Sequence, residues 1–203
     1  TIAEKVLGEL KDPFKIDEHE LYVSGSIGIA VYPEAGETMD SLIKSADLAM
    51  YCVKDRGKNG FEFFNESMNE MSTARLTIER DLRKALANDE LRVCYQPQVN
   101  ANSEKIVGFE ALVRWQHAEN GLIFPDEFIP VAEETGLILD VGNFVLETAC
   151  RDLASWRAEG VEKIRVSINF SAPQVDQDDF IDRIVDTLRR HELPGSCLEV
   201  EIT

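Results

Sequence analysis

The chain has 203 residues, 21 Lys and Arg against 38 Asp and Glu, and a formal net charge of −17; hydrophobic residues make up 44 % and charged residues 29 %. That is a globular composition, and no apolar run approaches the roughly 18 residues that a membrane helix needs. The acidic balance, with no cluster of Lys and Arg, argues against a nucleic-acid groove and against membrane contact within this segment. It does not argue against a small phosphate-bearing ligand, because a divalent cation reverses the local field.

Cys52, Cys94, Cys150 and Cys197 form no C-x-x-C pair, and His19, His117 and His191 are isolated. No zinc spacing and no Cys–His nucleophile pair is spelled out. Scattered thiols without a secretory leader point to the cytoplasm. The chain starts at Thr1 rather than Met, and Thr1–Asp12 has none of the regions of a signal peptide. The segment therefore reads as cut from something longer, with membrane attachment left to regions outside it.

In chain order, Ile2–Leu10 has helical spacing. Tyr22–Tyr32 alternates, with Val23, Ile27, Ile29 and Val31 on one face, which predicts a strand. Thr38 is a good N-cap for a helix whose stripe is Leu42, Ile43, Ala46, Ala49, Met50 and Val53, and Gly57 stops it. Phe61–Phe64 reads as a short closing strand. Glu66–Thr73 marks a boundary carried on a helix that continues to about Leu86, with Ile78, Leu82, Ala85 and Leu86 as its buried side.

Two alternating strands follow, joined by the polar loop Asn100–Glu104, which suits an antiparallel hairpin. In the first strand Leu91, Val93, Tyr95, Pro97 and Val99 share one face, with Arg92, Cys94, Gln96 and Gln98 on the other. The second, from about Lys105 to Trp115, sets Val107, Phe109, Ala111, Val113 and Trp115 against Gly108, Glu110, Leu112 and Arg114. Pro125 and Gly136 bracket a helix, and a second helix covers about Asp140 to Gly160. Lys163–Ser171 is a strand, Phe180–Leu188 a helix, and Cys197–Thr203 a strand. The order β-β-α-α-β-α-β predicts parallel pairing with helices packed outside, and chemistry gathered at the C-terminal strand ends.

Three strands each carry an oxygen donor on the face away from the helices: Glu110, Asn169 and Glu201. Two carboxylates and one carboxamide, without imidazole or thiolate, favour a hard cation such as Mg²⁺ or Mn²⁺. Arg114, two pleats beyond Glu110, suits a phosphate or a purine edge. A single Glu on a strand is most often a solvated face residue, and an inward Asn a satisfied core amide. Glu199 shares the face of Glu201, so alternation leaves the choice between them open.

The run Gly108–Trp115, GFEALVRW, resembles the signature of EAL domains, bacterial phosphodiesterases that hydrolyse cyclic di-GMP. Tyr95–Gln98, Phe128–Glu133, Val166–Ser171 and Leu198–Thr203 match further family motifs, in family order, across Leu76–Thr203. The resemblance implies an α/β fold: the N-terminal half of a TIM-like (β/α)₈ barrel with an antiparallel first strand. It implies that Glu110, Asn169 and Glu201 are metal ligands at the catalytic centre, Glu201 rather than Glu199, and that Gln96, Leu112 and Arg114 contact the dinucleotide. The implied reaction is Mg²⁺- or Mn²⁺-assisted hydrolysis of cyclic di-GMP to linear pGpG.

Residues Ser26–Ala30, Ala46–Lys54 and Gly57–Asn59 resemble the C-terminal end of a GGDEF domain, the diguanylate cyclase fold. Lys54 matches a phosphate-contacting lysine of that family, and Lys58 stands where the family usually has Arg; both also suit the negative end of a helix. The implied division is residues 1–64 for the GGDEF part, 65–75 for a helical linker and 76–203 for the opening half of the EAL barrel. A whole barrel takes about 250 residues, and the family's downstream Asp pair, Lys and last Glu have no counterpart before Thr203. The expectation is a parent enzyme whose 203-residue segment does not turn over by itself. Two other readings stay open: a receptor that binds cyclic di-GMP without cutting it, and a parent that acts as a cyclase through its first part. Both families also leave room for a homodimer.

Overall fold

The computed structural model describes residues 1–17, 19–55, 57, 59–161 and 164–203, with the backbone alone for Asp55. The chain divides into two compact units, Thr1–Leu76 and Thr77–Thr203.

In the first unit, Thr1 caps helix α1 (Ile2–Glu9) by accepting the Glu4 N–H at 3.2 Å. Strands β1 (Phe14–Ile16) and β2 (His19–Leu21) form a small antiparallel ladder whose side chains are all exposed. Strand β3 (Ser26–Ile29) pairs in parallel with β4 (Gly60–Phe63) through helix α2 (Met39–Asp55). The expected strand Tyr22–Tyr32 is thus cut to four residues, because β4 offers a ladder of only four. Tyr22, Val23, Val31 and Tyr32 are exposed outside it. Thr38 Oγ1 accepts the Ser41 N–H at 3.2 Å and caps α2, as its position predicts. Ala49 and Val53 of the expected stripe are buried, as is Cys52 beside them, whereas Ile43 is exposed. Gly28 lies where strand and helix backbones meet: a Cβ there would stand 1.8 Å from the Ala46 carbonyl oxygen. Only glycine allows that approach.

Helix α3 (Ser67–Ala87) enters the second unit, where Leu82 and Ala85 are fully buried and Ile78 and Leu86 pack beside them. Strands β5 (Leu91–Val99) and β6 (Ile106–His117) form the expected antiparallel hairpin. A three-residue strand β7 (Gly121–Ile123), too short to show a period, pairs back on the end of β6. Helices α4 (Pro125–Thr135) and α5 (Ile138–Ala158) follow, separated by Gly136 in the left-handed conformation. Then come β8 (Arg165–Phe170), a one-turn helix α6 (Ala172–Val175), α7 (Phe180–Arg190), a 3₁₀ turn (Gly195–Cys197) and β9 (Leu198–Ile202). The sheet order is β5-β6-β8-β9, with the β6-β8 and β8-β9 pairs parallel.

One contiguous core holds this unit. Val166, Ile168 and Phe170 of β8 meet Val141, Val145, Ala149 and Leu153 of α5. Trp115 is fully buried against Phe128 (ring centroids 5.7 Å apart, edge to face), and its indole N–H donates to Glu90 at 3.0 Å. Pro97 and Val99 at the far end of β5 are exposed, and the core side of the hairpin is carried by Leu91, Val93, Tyr95, Ala111, Val113 and Trp115. That leaves Gln96, Glu110, Ser167, Asn169, Glu199 and Glu201 on the opposite face of the sheet. Among the described residues, no helix is long and apolar enough to cross a membrane.

Candidate active site

The register aligns the donors across four strands. Gln96 on β5 stands opposite Glu110 on β6. Glu110 stands opposite Ser167 on β8, one pleat before Asn169, and Asn169 stands opposite Glu201 on β9. The strands on which these donors sit are therefore immediate neighbours, and all three donors lie on one face. The Asn169 carboxamide donates through Nδ2 to Glu110 Oε1 at 2.7 Å, joining two residues 59 positions apart. All three donors are half-buried.

Glu199 and Glu201 differ in their surroundings. Glu199 is exposed and pairs with Arg165, N···O 3.5 Å. Glu201 is the more enclosed of the two and occupies the register position of Asn169. Local charge thus engages one acid and leaves the other beside the amide.

Of the expected dinucleotide contacts, Gln96 is exposed and Leu112 and Arg114 are half-buried, all on the donor face. Arg114 donates to the Val113 carbonyl at 2.7 Å, which holds its guanidinium along β6 rather than over Glu110. Lys54 is exposed in the last turn of α2, in the first unit. Lys58 lies outside the described residues.

Two features beside the donors went unread in the sequence. Gln98 reaches over β6 and donates to the buried Ser167 hydroxyl at 3.0 Å. Gly108 makes the crossing possible, since a Cβ there would stand 3.0 Å from both Gln98 Oε1 and the Arg165 carbonyl oxygen. Gln174 is buried beneath the end of β8 and accepts from Ser171. Ser171-Ala-Pro-Gln174 has the Ser-x-x-Gln pattern of a capping box, a signal available from sequence.

The donor set, two carboxylates and a carboxamide on adjacent strands, fits a hard divalent cation. Among the described residues, no group of three or more His, Cys, Asp or Glu side chains is placed to hold a metal ion.

A sheet that is parallel after an antiparallel first strand, helix-covered on one face and oxygen-lined on the other, has the architecture of the opening half of a TIM-like barrel. The chain belongs to the EAL domain family, whose model matches residues 79–203, and a GGDEF segment precedes it, matched by the diguanylate cyclase model at residues 1–60. The bifunctional diguanylate cyclase/cyclic di-GMP phosphodiesterase MucR of Pseudomonas aeruginosa is 42 % identical over 203 residues, covering 100 % of this chain and 30 % of that protein. The cyclic di-GMP phosphodiesterase PdeR of Escherichia coli is 39 % identical over 202 residues, with the same coverage of 100 % and 30 %. The solved structure of the P. aeruginosa MucR phosphodiesterase in complex with c-di-GMP shares 40 % identity at a TM-score of 0.60, over 61 % of this chain and 50 % of that one. The chain thus spans under a third of the length of these curated relatives.

Proposed function

We propose that the protein carrying this segment hydrolyses cyclic di-GMP to linear pGpG in a reaction that depends on Mg²⁺ or Mn²⁺. In this reading residues 1–64 close a GGDEF domain, 65–75 form a helical connection, and 76–203 open the EAL barrel. The segment is assigned to the cytoplasm.

The observation that carries the proposal is the Asn169–Glu110 hydrogen bond, with Glu201 in register on the next strand. Glu110, Asn169 and Glu201 would hold the metal edge. A bound divalent cation supplies an activated water and offsets the negative charge that develops on phosphorus. Gln96 and Leu112 would contact the dinucleotide, and Arg114 would turn from the Val113 carbonyl toward a phosphate or guanine edge. Asn169 steadies the Glu110 carboxylate from a neighbouring strand, so the donors are positioned before the ligand arrives. Lys54 and Lys58 would contact phosphate in the GGDEF part.

The test is hydrolysis of cyclic di-GMP by the full-length protein with Mn²⁺ or Mg²⁺, followed as pGpG release. The Glu110→Gln variant is expected to lose at least about 10²-fold in kcat. Binding of cyclic di-GMP without hydrolysis would replace the enzyme by a receptor. Unchanged turnover in Glu110→Gln would overturn the site.

A further inference from the structure

The peptide group between Phe170 and Ser171 is gripped from both sides. Its carbonyl accepts the Thr203 N–H at 3.1 Å, and Thr203 lies two residues past Glu201. Its N–H donates to Gln174 Oε1 at 2.9 Å. Because the peptide is planar, an atom that fixes one edge fixes the other. This plane therefore links the ends of β8 and β9 just beyond Asn169 and Glu201.

Gln174 is built for that grip. It is 5 % exposed, and an unbonded amide at such a depth is costly. Its Oε1 also accepts the Ser171 hydroxyl at 3.1 Å, and its Nε2 donates to the Ile138 carbonyl in the first turn of α5 at 3.1 Å. Gly142, one turn along α5, leaves the slot it fills: a Cβ there would stand 1.8 Å from Gln174 Nε2. The amide thus ties the strand end to the rigid first turn of a buried helix.

We propose that Gln174, seated on Gly142, is a positioning residue that sets the spacing of Asn169 and Glu201 by clamping the Phe170–Ser171 peptide to α5. The inference rests on the metal-edge reading above. Gln174 touches neither donor and acts only through the backbone. Groups that orient metal ligands from behind typically change affinity by about 10–100-fold when removed.

The test is made in the full-length protein stripped of metal, with Mn²⁺ as the probe. Binding is read from the electron paramagnetic resonance of free Mn²⁺, and hydrolysis is read against Mn²⁺ concentration. Gln174→Met keeps most of the volume and loses every amide bond. It is expected to weaken Mn²⁺ binding by about 10-fold or more and to raise the Mn²⁺ needed for half-maximal rate in step. The KM for cyclic di-GMP at saturating Mn²⁺ is expected to hold within a few-fold.

Gln174→Glu keeps the acceptor for Ser171 and is expected to lose less Mn²⁺ affinity than Gln174→Met. Leu188→Ala, in the same core on α7, lowers Tm and should leave Mn²⁺ affinity unchanged, which separates positioning from general destabilisation. Should Gln174→Met not fold, Gly142→Ala, which drives the amide out of its slot, decides by the same readouts. A folded Gln174→Met or Gly142→Ala protein with wild-type Mn²⁺ affinity overturns the clamp. A wild-type protein that neither binds Mn²⁺ nor hydrolyses cyclic di-GMP overturns the reading beneath it instead.

Discussion

The two units reach stability by different routes. The second buries one contiguous core, from Leu82 and Ala85 on α3 through Trp115 and Phe128 to Ile184 and Leu188 on α7. The first gathers Ala49, Cys52 and Met68, with Phe64 beside them, into a cluster of three buried residues. Its sheets have two strands each, and one has every side chain exposed. Two-stranded sheets are marginal without packing partners. The lesson lies in what each core can support. The second unit can line one face with acids and amides because the other side of its sheet packs on helices through a contiguous apolar core. The first depends on single close contacts, such as Gly28 on α2.

That contrast can be broken most forcefully at Trp115. Replacing this fully buried ring by Ala removes both its packing on Phe128 and its bond to Glu90. The expected loss is about 3–5 kcal/mol, seen as a collapse of hydrogen-exchange protection in β5, β6 and α5. Protection that survives there would mean that the core is not one cooperative body. Gly28→Ala is the matching test of the first unit. Its new methyl group meets backbone rather than a yielding side chain, and overpacking of that kind costs about 1–3 kcal/mol. Exchange in β3, β4 and α2 should rise while β8 and β9 keep their protection. In the unaltered protein the first unit should already exchange faster than the second.

The same contrast governs what could be read from sequence. In the second unit the strands alternate apolar and polar side chains, so the pattern marks β5, β6, β8 and β9 and places Glu110, Asn169 and Glu201 on a shared face, even though Val200 and Ile202 of β9 are exposed. Their pairing through Asn169 Nδ2 depends on strand adjacency, which periodicity does not encode. The β1–β2 ladder has no buried face and so carries no alternating pattern to detect. The reading of Tyr22–Tyr32 was too long because strand length there is limited by the partner strand, not by side-chain type. Helix α6 was missed although Ser171 and Gln174 spell its cap. The role of Gln174 depends on Gly142, 32 positions earlier, and no local pattern connects them.

Smaller effects sharpen the comparison within the second unit. Tyr95 packs edge to face on Trp156 (4.7 Å) and donates its hydroxyl to Asp152 at 2.8 Å. Burial, then the neighbouring Asp152, pushes its phenol well above the ordinary range. Tyr95→Phe keeps the ring and should cost about 1 kcal/mol in denaturant unfolding. A larger loss would mean that the hydroxyl, not the packing, holds β5 to α5. Thiol chemistry should divide the same way. Burial, helped by Cys197, pushes the Cys150 thiol up to about 12. Cys94 is exposed on the donor face. Iodoacetamide at pH 8 should label the Cys94 peptide and spare Cys150, as read by mass spectrometry. Early labelling of Cys150 would show that α5 opens readily.

The smallest effect is a pH dependence between α5 and the end of α7. The Glu147 carboxylate pairs with Arg190 at 2.9 Å and with His191 Nε2 at 2.8 Å. Burial raises its carboxyl, but the His191 bond and the Arg190 charge outweigh that and hold it below its ordinary value of 4.5. A carboxyl depressed on folding binds its proton more readily when unfolded. The stability it contributes is therefore fully present above the unfolded value and is lost as pH falls through the folded one. Thermal melts from pH 6 down to pH 3 should show a decline that the Glu147→Gln variant lacks in part, since its amide has no proton to gain. The difference should be small, because the pair is partly exposed and screened by salt. An identical acid profile in the two proteins would show that the ion pair adds nothing to the packing of α7 on α5, which Ile184, Leu188 and the Arg183–Asn143 hydrogen bond would then carry.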